Sequence, residues 1–384
     1  MNTQFTHGQI NLTLRRWPLD QPNHSLQAWD AADELLIDAA NQAVAELQLA
    51  GVSQPRLLII NDSFGAVSCA LAAYPQTSSS DSYLAQQAII YNRTSNELDL
   101  QNLELIDSLS PLPPHIDMVL LKLPNNHSYL SFILSQLANI VRTDTIVLAA
   151  AKAKDINRNV LDLFSKQLGP AQASLAVKKC RVIRCQPEPG KTQPAFPLQW
   201  QLENSNTTLI NHANVFAREK LDLGARFLLQ HLPTETARQR IIDLGCGNGV
   251  LGLTLLAKQP DCQLVFTDES FMAVASAKAN IELNIPQCLA NSEFVVDDCL
   301  ALQPAQSADQ IICNPPFHQQ HTVTTHIATQ MFNEAKRVLK RGGRLRIVAN
   351  RHLNYQAQLQ RLFGHCQQLA ANPKFVILEA IKRS

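Results

Sequence analysis

One order of elements is written twice in this chain, and that duplication restricts its fold more than any single motif does. Leu57–Leu71 (LLIINDSFGAVSCAL) lies over Ile241–Leu255 (IIDLGCGNGVLGLTL) at a shift of 184 residues, which brings Gly65 onto Gly249. Each copy is an apolar run, a turn with glycine and a helical apolar pattern, the opening of a doubly wound unit. Ser80-Asp81 then falls over Thr267-Asp268, and Asp117–Pro124 (DMVLLKLP) over Asp309–Pro316 (DQIICNPP). The matches are weak singly, but they are collinear, and a duplicated domain explains that order.

The length of 384 residues exceeds one ordinary core and fits two domains. Gln186–Pro197 carries four prolines and a glycine in twelve residues, the composition of a linker. The expected fold class is therefore α/β, two tandem doubly wound Rossmann-like domains at 1–185 and 198–384 with a Pro-rich linker at 186–197. In the first half, helices are expected at Ala28–Leu49 and Ala66–Ala73, near Tyr83–Tyr91 and near Leu130–Val141. Strands are expected at Arg56–Ile60, Met118–Leu121 and Thr145–Ala150. In the second half Leu198–Glu203 and Thr207–Asn211 alternate like a hairpin, and a helix near Leu221–His231 precedes the glycine loop. A net charge of +1 provides no global funnel toward nucleic acid, so any RNA contact has to be local. The nine cysteines are scattered without a C-x-x-C, which predicts free buried thiols and no zinc. Without an apolar leader or an 18-residue apolar run, the expected protein is soluble and cytoplasmic, with no membrane partner.

The chemistry sits in the second copy. Asp243-x-Gly245-x-Gly247-x-Gly249 ends a strand and opens a helix, where glycines let the backbone approach a bound nucleoside. Gly247-x-Gly249-x-x-Gly252 also satisfies the dinucleotide pattern, so the loop alone specifies only an adenosine-type cofactor. Asp268 ends the second strand, where a carboxylate takes ribose hydroxyls. The third strand ends in Asp297-Asp298, either of which can accept from an adenine amino group; Asp298 is the candidate. The fourth strand ends in Asn314-Pro315-Pro316-Phe317, a turn that two prolines force out of the sheet. It offers an amide acceptor, carbonyls without competing N–H groups and a ring, a fit for a planar group bearing NH2. A plain strand-ending turn with Phe317 in the core is the competing reading of Pro-Pro alone, and no hydride-transfer constellation accompanies the loop.

In order and spacing, the glycine loop, Asp268 and NPPF resemble the class I S-adenosylmethionine-dependent methyltransferases that act on exocyclic or amide nitrogens. Asn214–Arg218 (NVFAR), Leu221–Arg226 (LDLGAR) and a decayed first copy extend the likeness over essentially the whole chain. In these features it resembles the two-domain ribosomal RNA guanine-N2 methyltransferases. Asn61–Ala66, Asn211–Phe216, Asp268–Ser270, Asn314–Gln320 and Val348–Leu353 are most similar to the large-subunit (23S) branch; the small-subunit (16S) branch is the alternative. The resemblance implies S-adenosyl-L-methionine as cofactor, held by Asp243, Gly245, Gly247, Gly249, Asp268 and Asp298. It implies catalysis by Asn314, Pro315, Pro316 and Phe317 on a guanine amine, guanine 1835 of 23S rRNA, in naked RNA or an assembly particle, without an obligate protein partner.

The first copy lacks two of the glycines and has Lys122-Leu123-Pro124 in place of Asn-Pro-Pro. This predicts a domain that neither binds the cofactor nor catalyses, left for RNA positioning or for protecting its neighbour. Lys178–Arg184 reads as phosphate contact or as a solvated edge strand, and Lys336–Arg346 as rRNA contact or a solvated face. His318, His321, His326 and His352 match no metal-ligand spacing, so no metal is expected. Methylation of a protein glutamine and a non-catalytic RNA-binding role are the other function classes.

Overall fold

The computed structural model describes residues 2–19, 26–234, 236–316 and 322–383. The chain divides into two compact units, Met1–Phe196 and Pro197–Ser384. In the first unit a hairpin, β1 (Gln4–His7) and β2 (Ile10–Thr13), precedes α1 (Ala31–Leu49). Then follow β3 (Leu57–Ile60), α2 (Ala66–Ala70), β4 (Gln76–Ser80), α3 (Tyr83–Ser95), β5 (Leu103–Asp107) and β6 (Met118–Lys122). The unit ends with α4 (His127–Leu137), β7 (Ile146–Lys152), α5 (Arg158–Gln167), β8 (Ala171–Ala173) and β9 (Cys180–Cys185).

The second unit repeats the plan. A hairpin, β10 (Leu198–Gln201) and β11 (Thr208–Asn211), leads to α6 (Leu223–Leu229), β12 (Arg240–Leu244), α7 (Val250–Lys258) and β13 (Gln263–Asp268). Next come α8 (Phe271–Asn284), β14 (Ser292–Val296), β15 (Ala308–Cys313), α9 (Thr322–Val338) and β16 (Leu339–Asn350). Helix α10 (Tyr355–Phe363), β17 (Cys366–Ala371) and β18 (Phe375–Ile381) complete it.

Each unit builds one seven-stranded sheet, in the orders β5-β4-β3-β6-β7-β9-β8 and β14-β13-β12-β15-β16-β18-β17. Five strands run parallel; β9 and β18 pair antiparallel with β7 and β16, and the edge strands β8 and β17 pair antiparallel with β9 and β18. The reversal of strand order falls between β3 and β6, and again between β12 and β15, which is where open α/β sheets bind ligands. Strands such as Leu57–Ile60 and Met118–Leu121 are buried on both faces, so they are continuous apolar runs.

A second duplication is hidden in the hydrogen bonds. Asn280 and Asn284 of α8 each grip one residue of β11 at both backbone groups: Ile210 N–H and C=O at 2.6 and 3.0 Å, Thr208 at 3.1 and 2.9 Å. Asn92 and Asn96 of α3 do the same to Arg15 and Thr13, at 2.7–2.8 Å. The clasp satisfies the outward edge of a two-stranded hairpin that has no sheet to join. Asn280 reaches further and donates to the carbonyl of Asn248 inside the glycine loop at 2.9 Å; Asn92 donates likewise to Phe64 at 2.8 Å.

One expectation changes. The strand over Lys178–Arg184 is not simply an edge, because β8 covers β9 along Ile183–Cys185. Gln76–Ser80 (QTSSS) is a fully buried strand despite its polar sequence. Gln76 satisfies it locally, accepting from Ser68 Oγ at 2.8 Å and donating to Leu71 O at 2.8 Å.

Gly249 and Gly247 both have positive φ, +76° and +54°, but differ in their surroundings. A Cβ on Gly249 would lie 2.7 Å from Ala277 Cβ and 3.0 Å from its Cα, whereas one on Gly247 would meet none of the described residues within 4 Å. Gly249→Ala is therefore expected to cost roughly 2–4 kcal/mol, strain plus overpacking, and Gly247→Ala about 1–2 kcal/mol of strain alone. Urea denaturation of the two variants checks this, and equal losses would refute the packing role of Gly249.

Candidate active site

The register of the second sheet brings the four predicted segments to one edge. Leu244 pairs with Thr267 on one side and Cys313 on the other, and Asp268 pairs with Val296. The turns that begin at Gly245, Asp268, Asp297 and Asn314 therefore all leave the sheet at its carboxyl end. Pro315 is buried and Pro316 half-buried; Phe317, His318 and His321 lie outside the described residues.

Asp243 is wholly buried beneath the loop, and its Oδ2 accepts from Gly252 N–H at 3.0 Å. Its Oδ1 has no partner among the described residues. Burial pushes this carboxyl up to about 8, the Gly252 amide opposing and nearby Asp268 reinforcing the shift. Asp268 is half-buried, accepts from Gly247 N–H at 3.0 Å and from Ser270 N–H at 3.0 Å, and so ties the loop to the end of β13.

The two acids after β14 separate clearly. Asp297 is wholly buried and caps its own turn, accepting from Leu302 N–H at 3.0 Å. Asp298 is half-buried and accepts from Gln330 Nε2 at 2.8 Å. Asn314 donates from Nδ2 to Asp222 Oδ2 at 3.2 Å, while its buried Oδ1 has no partner among the described residues. The edge is thus rich in acceptors, with a backbone cradle at Gly247 that no Cβ occupies. Such a set suits a ligand carrying positive charge, hydroxyls and amino hydrogens.

The corresponding edge of the first unit is filled by the protein itself. Asn61 holds the left-handed φ of +65° that Gly245 holds at +68°, and its amide donates across to Lys122 O at 2.9 Å. Lys122 Nζ is bound by Asp30 at 2.9 Å and Asp33 at 2.6 Å. Burial of Lys122 opposes its charge, but the two carboxylates prevail and raise its pKa. The Arg16 guanidinium sits over the Phe64 ring at 4.4 Å. Asp62, also buried, accepts from Gly65 and Ser68 N–H at 3.0 and 2.8 Å, the service Asp243 performs for Gly252.

The basic stretches are largely committed internally. Lys336 donates to Leu362 O, Arg337 to Leu300 and Gln303 O, Lys340 to Asp309, and Arg344 and Arg346 to the buried Glu379. Lys178 and Arg184 bind Glu34 and Glu46. Within Lys336–Arg346 much of the geometry serves the sheet, while Lys340, Arg341 and Arg344 remain exposed. Sequence reasoning missed Asp222 and Asn280, although an N-x-x-x-N spacing occurs in both α3 and α8.

Comparisons with known proteins follow the same division. Residues 2–189 match the RLMG N-terminal domain, and residues 206–379 the Methyltransferase small domain. The chain is 46% identical over 386 residues to the "Ribosomal RNA large subunit methyltransferase G" of Pseudoalteromonas translucida (strain TAC 125), covering 100% of this chain and 99% of the relative. It is 48% identical over 385 residues to the protein of the same name in Aeromonas salmonicida (strain A449), with complete coverage of both. In fold it is similar to the T. thermophilus 16S rRNA N2 G1207 methyltransferase (RsmC), solved with AdoMet and guanosine. That match has a TM-score of 0.74 at 20% identity, and covers 99% of this chain and 98% of the other.

The Asp243 carboxyl gives a pH signature. Its pKa of about 8 in the fold exceeds the unfolded value of about 4, so the folded state holds the proton more tightly. The resulting penalty on stability is absent below pH ~4, grows as pH rises to ~8 and then levels off. In ligand-free protein Asp243→Asn should flatten the fall in unfolding free energy between about pH 5 and 9. An unchanged slope in the variant would remove Asp243 as its source.

Proposed function

The chain belongs to the ribosomal RNA large subunit methyltransferase G family, and on that premise we propose that Asn314 accepts the amine of a 23S rRNA guanine for methylation. The buried Oδ1 of Asn314, without a partner among the described residues, carries this reading. The enzyme is an S-adenosylmethionine-dependent rRNA methyltransferase, and the bound cofactor supplies an electrophilic methyl on a cationic sulfur.

Asp243, Gly245, Gly247, Gly249, Asp268 and Asp298 would hold that cofactor. Asp268 suits the ribose hydroxyls, and the open φ-positive backbone at Gly247 suits close approach. Asp298, half-buried at the edge, is the adenine acceptor in this reading, while Asp297 is wholly buried and gives one oxygen to its own turn.

A guanine amine is a weak nucleophile, since its lone pair is delocalised into the ring. Accepting its two N–H groups at Asn314 Oδ1 and at a carbonyl near Pro315 localises that pair toward the methyl. The step is then an in-line displacement carried by positioning and fixed dipoles. The nitrogen becomes acidic once methylated and releases its proton, so no strong base is required. Phe317 would stack on the base, worth about 1–3 kcal/mol, and a paired guanine must first be flipped out.

The first unit serves as RNA positioning or protection and binds no cofactor in this reading. Asn61, Phe64 and Lys122, filling the edge where a nucleoside would sit, support it. Large-subunit RNA as substrate, the lack of an obligate protein partner and a cytoplasmic site of action belong to the same proposal. Among the described residues no helix is long and apolar enough to cross a membrane.

Labelled methyl transfer to 23S RNA, 16S RNA and RNA-depleted protein fractions tests the substrate. Label in 23S guanine N2 is expected, and label in 16S RNA or protein alone would overturn the assignment. Asn314→Ala should lower kcat by about 10²–10³ or more while cofactor affinity stays near wild type. Full activity in that variant would remove the acceptor role.

A further inference from the structure

One carboxylate oxygen joins the start of α6 to the catalytic turn. Asp222 is the N-cap of α6, and its Oδ2 accepts from Ala225 N–H at 2.9 Å and from Asn314 Nδ2 at 3.2 Å. A carboxylate can only accept, so the part of the Asn314 amide turned toward it has to be the NH2. The amide oxygen then faces the other way, where it is buried without a donor among the described residues.

The duplicated frame makes the same contact with a different residue. Lys122 stands where Asn314 stands, and it binds Asp30, the N-cap of α1, at 2.9 Å. An acid at this helix start holds the residue at the end of the fourth strand in both units. In the second unit that grip decides what the amide presents. Flipped, Asn314 would place its oxygen against the carboxylate and offer N–H groups to the N–H groups of an amine.

We propose that Asp222 is a positioning residue for methyl transfer, locking the Asn314 amide with its oxygen toward the substrate amine. The inference rests on the reading of Asn314 as the amine's acceptor, and the tests of the two are separable.

Asp222→Ser keeps a good N-cap for Ala225, but its shorter side chain withdraws the acceptor from Asn314 Nδ2. Expected are a wild-type Tm and cofactor affinity, KM for RNA within about threefold, and kcat lowered about 100-fold. The side-chain 15NH2 signals of Asn314 should shift while the backbone signals of α6 stay in place. Asp222→Asn is the conservative variant: because one oxygen takes both bonds, its amide oxygen can accept from Ala225 and Asn314 alike. It should rescue kcat at least about tenfold over Asp222→Ser.

Wild-type kcat in Asp222→Ser beside an inactive Asn314→Ala would overturn the positioning role alone. A kcat loss that Asp222→Asn shares in full would also overturn it. An active Asn314→Ala would overturn the acceptor reading itself. Should Asp222→Ser lower Tm, Asp222→Thr, another cap residue, replaces it. The same loss of kcat is expected at unchanged Tm, and undiminished kcat would refute the proposal.

Discussion

The clasp between Asn280, Asn284 and β11 is the constraint on which the functional edge depends. A hairpin of four-residue strands is marginal by itself, and β10 and β11 lie outside the seven-stranded sheet. Four backbone bonds from two asparagines fix it to α8, each worth about 0.5–1.5 kcal/mol net. Asn280 spends a further bond on the Asn248 carbonyl, and Asn248 Nδ2 donates to Asn211 Oδ1 at 2.9 Å. Hairpin, glycine loop and α8 thus become one body, and Asp268 at the head of α8 receives Gly247 N–H from the same loop. The loop's shape is imposed from three sides before any ligand arrives.

Within that frame, the two units separate residues kept for packing from residues kept for a ligand. Gly65 survives in the first copy because its Cβ would press on Ile89 at 3.1 Å, as one on Gly249 would press on Ala277. Gly247, with open space around it, corresponds to Ser63 in the decayed copy. Gly245 corresponds to Asn61, which keeps the left-handed φ but turns its side chain into a strut. What was lost is what a cofactor needs, and what remains is what the helix needs against the sheet.

Much of this was legible because each signal was local. Apolar runs buried on both faces, the glycine loop and Asn-Pro-Pro identified strands and turns without tertiary knowledge. The rest was hidden where side-chain chemistry is settled by distant partners. Gln76–Ser80 carries no apolar pattern, since its burial depends on bonds to Ser68 and Leu71 across a turn. Lys336–Arg346 has the density of an RNA face, but the charges meet Glu379, Asp309 and backbone carbonyls far along the chain. Of Asp297 and Asp298 sequence could say only that one faces inward; the bond from Leu302 N–H accounts for the first.

Lys122 and Asn314 show how little change at one position separates a functional edge from a structural one. Both stand at the end of the fourth strand, and both are held by the acid that caps the helix before the first. A lysine has donors only, so Asp30 and Asp33 take up its charge and nothing is left for a substrate amine. An asparagine has one end of each kind. With its NH2 given to Asp222, the other end is an acceptor without a donor among the described residues. A buried acceptor without a donor is a cost to stability, and such costs are kept where a ligand is to complete the bond. The acid at the helix start therefore has opposite consequences in the two units: it closes the first edge by neutralising a charge and opens the second by orienting an amide.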